Sequence, residues 1–233
     1  MELFSRRADE AARGDTPSAG AALEALPLAG SVLDVGCGAG AATMPLLARA
    51  RRAIGVDPSA EMLAEFTSRV RAAGKEVETL QGTWDVVAQR APLADVVVCH
   101  HVVYNVPHLD HFVIELTRHA RRRVVMELSA RHPLSWLNEL WMRFHGLQRP
   151  SEPTAETAAQ VVREAGFMPH EARWPTDLPA HEHFEDFVAS VRRRLCLPSE
   201  RDPQIAAALA ELPNLPPREL VALWWDGTAD ASG

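Results

Sequence analysis

Two groups of residues in this chain have types and spacings suited to chemistry. The first is a set of glycines between acids. Asp34-Val-Gly-Cys-Gly-Ala-Gly40 is followed by Ala53-Ile-Gly-Val-Asp57, with Asp57 17 residues past Gly40. Glycines let the backbone turn tightly and let a ligand approach where a side chain would collide. A helix expected to begin near Ala41 would offer unpaired N–H groups to the ligand's polar end. A carboxylate at the tip of the next strand can accept the protons of both ribose hydroxyls. Such a set holds a nucleoside. The second group is His100-His-Val-Val-Tyr-Asn-Val-Pro-His108, with His111 beyond it. Histidine takes up a proton near neutral pH, so His100 or His101 is a candidate base toward a bound molecule. The competing reading has one of them packing or capping backbone, with His108 exposed on the next helix. Tyr104 is the only tyrosine in the chain. No acid or cysteine joins these histidines at ligand spacing, so no metal is expected. His181-Glu-His183 reads as the start of a helix.

Spacing chooses among nucleosides. A dinucleotide fingerprint places its third glycine three positions after the second, whereas Gly36, Gly38 and Gly40 fall on every second residue. The Lys-Ser/Thr ending of a phosphate-cradling loop is also missing. Val32 to Gly40, apolar-apolar-acid-apolar-Gly-x-Gly-x-Gly, resembles the first motif of the class I S-adenosylmethionine-dependent methyltransferases. Their second motif, an acid ending strand two, is matched by Asp57 within Gly55-Val-Asp-Pro-Ser-Ala-Glu-Met-Leu63. The resemblance covers about residues 30–130 by motif and the rest by topology.

That resemblance implies a cofactor, S-adenosyl-L-methionine, lying across the carboxyl ends of strands one, two and four. The backbone of Gly36, Cys37, Gly38 and Gly40 would pass under the methionine moiety, with the Cys37 side chain packing inside the turn. Asp34 would reach the ammonium directly or through water, and Asp57 would hold the ribose. Pro58 and Met62 would wall the adenine. The third motif departs from the family's Gly-Asp-Ala, because this chain has Gly82-Thr-Trp-Asp85. Thr83 stands at the acid's place and Asp85 comes two residues late. Either Asp85 swings in, or Thr83 and the backbone at Trp84 read the base, with Trp84 on the adenine or in the core. The segment after strand four faces the transferred methyl in this family, which nominates His100, His101 and Tyr104. His100 would also border the cofactor.

These residues need a scaffold, and the resemblance implies an α/β, Rossmann-like, seven-stranded, mostly parallel sheet of order 3-2-1-4-5-7-6. Its last strand is antiparallel, and helices cover both faces. The periodicity predicts strands at Ser31–Val35, Ala53–Val56, Glu76–Leu80, Asp95–Cys99, Arg123–Leu128, Glu171–Trp174 and Glu219–Trp225. It predicts helices at about Ala41–Ala50, Ala60–Ala73 with Ser59 as cap, Leu109–His119 and Thr154–Ala165. One domain over 1–233 is expected. Residues 1–30 form a helical lead, with helices over Glu2 to about Arg13 and Ala21–Leu26, and residues 226–233 form a frayed end. Helical insertions at 132–150 and 181–215 would form a cap, the second through helices at about His183–Leu195 and Ile205–Leu212. Trp136, Trp141, Arg143, Phe144 and His145 suit either a lid over a small organic acceptor or a homodimer interface.

Composition narrows the partners. A net charge of −7 over 233 residues argues against a dedicated nucleic-acid binder. Three scattered cysteines suggest a reducing cytoplasm, and neither a leader segment nor an apolar run of about 18 residues points to a membrane. The expected activity is methyl transfer to a small-molecule acceptor, releasing S-adenosylhomocysteine. Its rivals are an RNA or protein methyltransferase and a non-catalytic S-adenosylmethionine-binding or interaction protein.

Overall fold

Segments in which nearly every residue is apolar are satisfied as strands only where both sheet faces are covered. Runs of that kind lie inside β1 (Gly30–Val35) as Val32-Leu33, inside β4 (Ala94–His100) as Val96–Cys99 and inside β5 (Ala120–Ser129) as Val124–Met126, all fully buried. They lie side by side at the centre of the sheet in the computed structural model, which describes residues 16–176, 183–212 and 218–228. β2 (Ala50–Asp57) and β3 (Glu76–Gln81) continue the sheet on one side. β7 (Arg218–Asp226) and β6 (His170–Thr176) continue it on the other, giving the order β3-β2-β1-β4-β5-β7-β6. β7 runs antiparallel to both neighbours and all other pairings are parallel. Fold class and strand order are those the sequence implied. The order reverses between β1 and β4, the point where open α/β sheets bind ligands beyond their carboxyl ends.

Alternate residues of the central strands feed two layers. On one face, α3 (Trp84–Val87), α4 (Leu109–His119) and α6 (Ala155–Glu164) bury Trp84, Leu116 and Val162 against Leu33, Val97 and Val124. On the other, α1 (Pro17–Ala25) sets Ala21, Ala22 and Leu26 against Val32, Val96 and Val125. α2 (Ala60–Ala72) inserts Phe66 beside Cys37 and Ala53. Its limits follow from caps: the Ser59 hydroxyl accepts from Met62 N–H at 3.3 Å, and Gly74 leaves the helix at φ 71°.

One expected helix does not form. Residues 41–50 were to be helical, but they make turns and a single 3₁₀ segment, Met44–Leu46, before β2 starts at Ala50. Pro45 is the reason. It has no N–H to give the carbonyl four residues back, and its ring crowds that carbonyl. A single i→i−4 bond, Met44 N–H to Gly40 O at 2.9 Å, precedes the proline, and from there the bonds are i→i−3, as in Leu46 N–H to Thr43 O at 2.9 Å and Leu47 N–H to Met44 O at 3.3 Å. The ligand-facing donors expected from a helix N-terminus near Ala41 are therefore replaced by the turn itself.

The insertion after β5 folds as a 3₁₀ turn and α5 (Asn138–His145). It packs on α7 (Phe184–Arg194) and α8 (Asp202–Glu211) around Leu137, Leu140, Val191, Leu195 and Ile205, a cluster separate from the sheet's core. Leu140→Ala should lower stability by about 2–5 kcal/mol while leaving ligand affinity unchanged. Denaturant unfolding and calorimetric titration of the same variant test the two halves of that statement. The expected helix at Glu2–Arg13 lies outside the described residues, as do 181–182, 213–215 and 229–233. Among the described residues, no helix is long and apolar enough to cross a membrane.

Candidate functional site

The glycine turn is tied to the end of β2. Gly36 N–H and Cys37 N–H both donate to Val56 O, at 2.8 and 3.0 Å, and Gly40 N–H donates back to Cys37 O at 2.8 Å. Gly36, Gly38 and Gly40 have φ of 76°, 49° and 94°, the left-handed region that glycine adopts without penalty. Each plays a different part. A Cβ on Gly36 would stand 2.2 Å from Val102 Cγ2, so this glycine lets the loop after β4 sit directly on the turn. A Cβ on Gly40 would press on Met44 and Phe66. A Cβ on Gly38 would meet open space, where the turn borders a cleft of about 2320 Å³.

Asp57 closes this half of the site. Its Oδ2 accepts from Gly38 N–H at 3.0 Å and its Oδ1 from Ser59 N–H at 2.8 Å, fixing the carboxylate at the cleft's edge. Asp34 lies beneath the turn, 1% exposed, and accepts from the Thr43 hydroxyl at 2.7 Å. Burial pushes its carboxyl up to about 7, only partly countered by the Thr43 hydrogen bond and aided by the neighbouring charge of Asp57. Thr43 was absent from the sequence-based candidates, since a hydroxyl nine residues past the acid gives no motif.

Pro58, Met62, Thr83, Trp84 and Asp85 all border the same cleft, so the structure brings the two halves of the expected nucleoside site together. Gly40 does not border it. Trp84 is 5% exposed and meets His119 edge-on, with ring centroids 4.9 Å apart. Its indole N–H is buried and finds no partner among the described residues. His119 is fixed in turn by the carbonyls of Glu115 and Ala88, at 2.7 and 2.9 Å.

The opposite wall comes from the carboxyl ends of β4 and β5. His100, the last residue of β4, pairs in register with Glu127 of β5. His101 follows at φ 61°, a left-handed backbone that costs a non-glycine residue about 1–2 kcal/mol. Its N–H donates to Glu127 O at 2.8 Å and its Nε2 lies 3.3 Å from Glu127 Oε1. His100 Nδ1 is 3.8 Å from Oε2, and the Ser18 hydroxyl of α1 donates a short hydrogen bond to the same oxygen. Burial alone would raise the Glu127 carboxyl, but His100, His101 and Ser18 together outweigh it and hold it at about 2. Burial pushes the His100 imidazole down, against the pull of Glu127.

His100, His101 and Glu127 all border the cleft. Tyr104 does not. Its hydroxyl turns to Ser129, accepting from the backbone N–H at 2.5 Å, and burial raises its phenol. Glu127 was missed from sequence, although an acid inside Val124-Val-Met-Glu-Leu128 interrupts an otherwise apolar strand. The far end of the cleft is lined from β6 and β7 by Trp174, Thr176, Arg218 and Leu220, which no motif announced. Among the described residues, no three His, Cys, Asp or Glu side chains are placed to hold a metal ion.

None of Trp136, Trp141, Arg143, Phe144 and His145 borders the cleft. Trp136 stacks on Phe187 with centroids 5.9 Å apart, and Arg143 pairs with Glu211 at 2.6 Å. His145 Nε2 contacts Leu195 O at 2.7 Å, and the Arg149 guanidinium lies 4.9 Å over Trp141. Trp136, Arg143 and His145 thus join the two insertions to each other, while the Arg149–Trp141 contact lies within the first.

A family model described as "Methyltransferase domain" matches residues 32–123. A ubiquinone biosynthesis O-methyltransferase from Rhizobium rhizogenes is 25% identical over 171 residues, covering 64% of this chain and 69% of that protein. One of the same description from Azorhizobium caulinodans is 29% identical over 149 residues, covering 57% and 59%. Among solved structures, the Bacillus YcgJ protein superposes with a TM-score of 0.63 at 19% identity, over 90% of this chain and 97% of that one. Magnesium protoporphyrin IX methyltransferase from Synechocystis, with bound S-adenosylhomocysteine, gives a TM-score of 0.60 at 18% identity, over 94% and 84%. At these identities the solved structures speak for the fold.

Proposed function

We propose, for a chain that is a class I S-adenosylmethionine-dependent methyltransferase, that the cleft beyond β1, β2 and β4 binds S-adenosyl-L-methionine and a small organic acceptor together. When bound, the cofactor supplies an electrophilic methyl group on sulfur whose leaving thioether is neutral.

The residues present fit that group. Gly38 offers backbone with open space in front of it for the amino-acid end. Asp34, buried under the same turn, is the counter-charge for an ammonium or sulfonium. Asp57 is already pinned by two backbone N–H groups, and a carboxylate has about four lone-pair sites, so it retains capacity for ribose hydroxyls. Pro58 and Met62 give an apolar wall to the base, and Thr83, Trp84 and Asp85 border its far side. Cys37 is buried and packs beside Ala53 and Phe66 beneath the turn.

The observation that carries this reading is the bond from Gly38 N–H to Asp57, which sets the exposed glycine backbone and the ribose-binding acid as one rigid unit at the cleft's lip. The cleft's continuation to Trp174, Arg218 and Leu220 leaves room for an acceptor, which supports transfer over a purely cofactor-binding role. The descriptions of the relatives, acting in ubiquinone biosynthesis and on a protoporphyrin, support a small-molecule acceptor. The chain's work is alignment and exclusion of water around an in-line displacement. Asp57→Ala is expected to weaken S-adenosylhomocysteine binding by about 1.5–3 kcal/mol, roughly 10- to 150-fold. Isothermal titration showing unchanged affinity would displace the ribose from Asp57.

A further inference from the structure

We propose that His101 is the general base of the transfer, that Glu127 positions its imidazole, and that the acceptor is therefore a hydroxyl compound of the phenol or enol type. The proposal rests on methyl transfer in this cleft and deepens it by naming the acceptor's chemistry.

Three observations converge on His101. Its backbone holds a left-handed conformation immediately after β4, a strain that persists only where surrounding structure enforces it. Here the enforcement comes from Glu127 at both levels: the His101 N–H is bonded to the Glu127 carbonyl, and the ring nitrogen Nε2 faces the Glu127 carboxylate. Glu127 itself is 7% exposed, and a buried carboxylate is costly unless it is paired. The nucleoside half of the site gives it no task. His100, its other imidazole neighbour, is too far for a hydrogen bond at 3.8 Å, and His100 Nε2 is buried without a partner among the described residues. His101 is the more exposed of the two rings, with a third of its side chain accessible at the cleft.

A carboxylate accepting from Nε2–H leaves the lone pair on Nδ1. The same arrangement of acid, imidazole and reacting hydroxyl activates nucleophiles on unrelated scaffolds. A neutral amine brings its own lone pair and has no use for it; a phenol or enol must lose a proton as it reacts. In the step, the acceptor's O–H bond breaks and its proton goes to Nδ1 of His101. An oxygen lone pair forms the bond to the methyl carbon while the carbon–sulfur bond breaks, its electrons remaining on sulfur. The imidazolium then returns its proton to water through the open cleft, and Glu127 remains a carboxylate throughout.

The first test needs no acceptor. Long-range ¹H–¹⁵N correlation on histidine-labelled protein with S-adenosylhomocysteine reports which nitrogen of His101 carries hydrogen. His101→Asn identifies the signal, because asparagine tolerates the left-handed backbone. Hydrogen on Nε2 in the parent, with that preference lost in Glu127→Gln, is the expected result; hydrogen on Nδ1 overturns the proposal. The second test compares catechol with 4-nitrocatechol, which is ionised at neutral pH. Both variants should lower kcat on catechol by about 10²–10⁴-fold with little change in KM, and lower it far less on the ionised probe. Equal losses on both probes, or turnover of neither by the parent protein, overturn the base or the hydroxyl assignment. Failure of S-adenosylhomocysteine to bind at all would instead strike the underlying reading of the cleft.

Discussion

Gly36→Ala is expected to abolish tight binding of S-adenosylhomocysteine and to cost the fold about 2–5 kcal/mol. Two penalties combine at this position. An alanine at φ 76° carries left-handed strain, and its Cβ would stand 2.2 Å from Val102 Cγ2. Relief requires moving either the turn or the loop after β4. Moving the turn breaks the paired bonds of Gly36 and Cys37 to Val56 O, and with them the placement of Gly38 against Asp57. Moving the loop displaces His101, one residue before Val102. One methyl group should therefore damage both halves of the site. Gly38→Ala is the control, since it carries similar strain but projects into open space, and it should cost about 1–2 kcal/mol. Thermal unfolding of the two variants side by side checks the difference in stability; equal stabilities would mean that Val102 gives way easily.

Stability of the ligand-free protein should fall, through the Asp34 contribution, as pH rises from about 4 to about 7. Burial raises this carboxyl from 3.8 to about 7, so over that window the folded chain holds a proton that the unfolded chain has lost. The contribution is fully present below 3.8 and gone above about 7, an amplitude of order 4 kcal/mol. Glu127 works in the opposite sense and lower: its stabilisation is present above 4.5 and lost as pH falls toward 2. His100, pushed down by burial, also gains stability with rising pH. The Asp34 share is consequently read as the difference between the parent and Asp34→Asn curves from pH 4.5 to 8, with Asp34→Asn the more stable at the upper end. A cation bound over the turn favours the ionised form, so cofactor affinity should climb by up to about tenfold per pH unit below 7, with proton release. Titrations in buffers of different ionisation enthalpy measure that proton. No release, or a climb that survives Asp34→Asn, would remove Asp34 from the cofactor's surroundings.

The sheet was legible because its signals are local and repeated. Continuous apolar strands, a cap at Ser59 and a stop at Gly74 each act within a few residues. The glycine turn and Asp57 were legible for the same reason, being a short motif at fixed spacing. The helix expected after Gly40 failed at one residue: Met44 and Leu47 kept helical spacing while Pro45 vetoed the bonds. Glu127 and Ser18 lie 109 residues apart and meet only because α1 packs across the sheet beside β5. No spacing rule reaches that far. The insertion's aromatic residues showed a helical face, yet a face does not name what it packs against, and here the partners lie some 50 residues onward in α7 and α8.

A crystal structure of the protein with S-adenosylhomocysteine decides whether the glycine turn and Asp57 hold the cofactor. The amino-acid end should lie against the Gly36–Gly38 backbone, the ribose oxygens within hydrogen-bond distance of the Asp57 carboxylate, and sulfur turned toward the His101 wall. Ligand density away from the glycine turn, or a ribose facing away from Asp57, would contradict that placement.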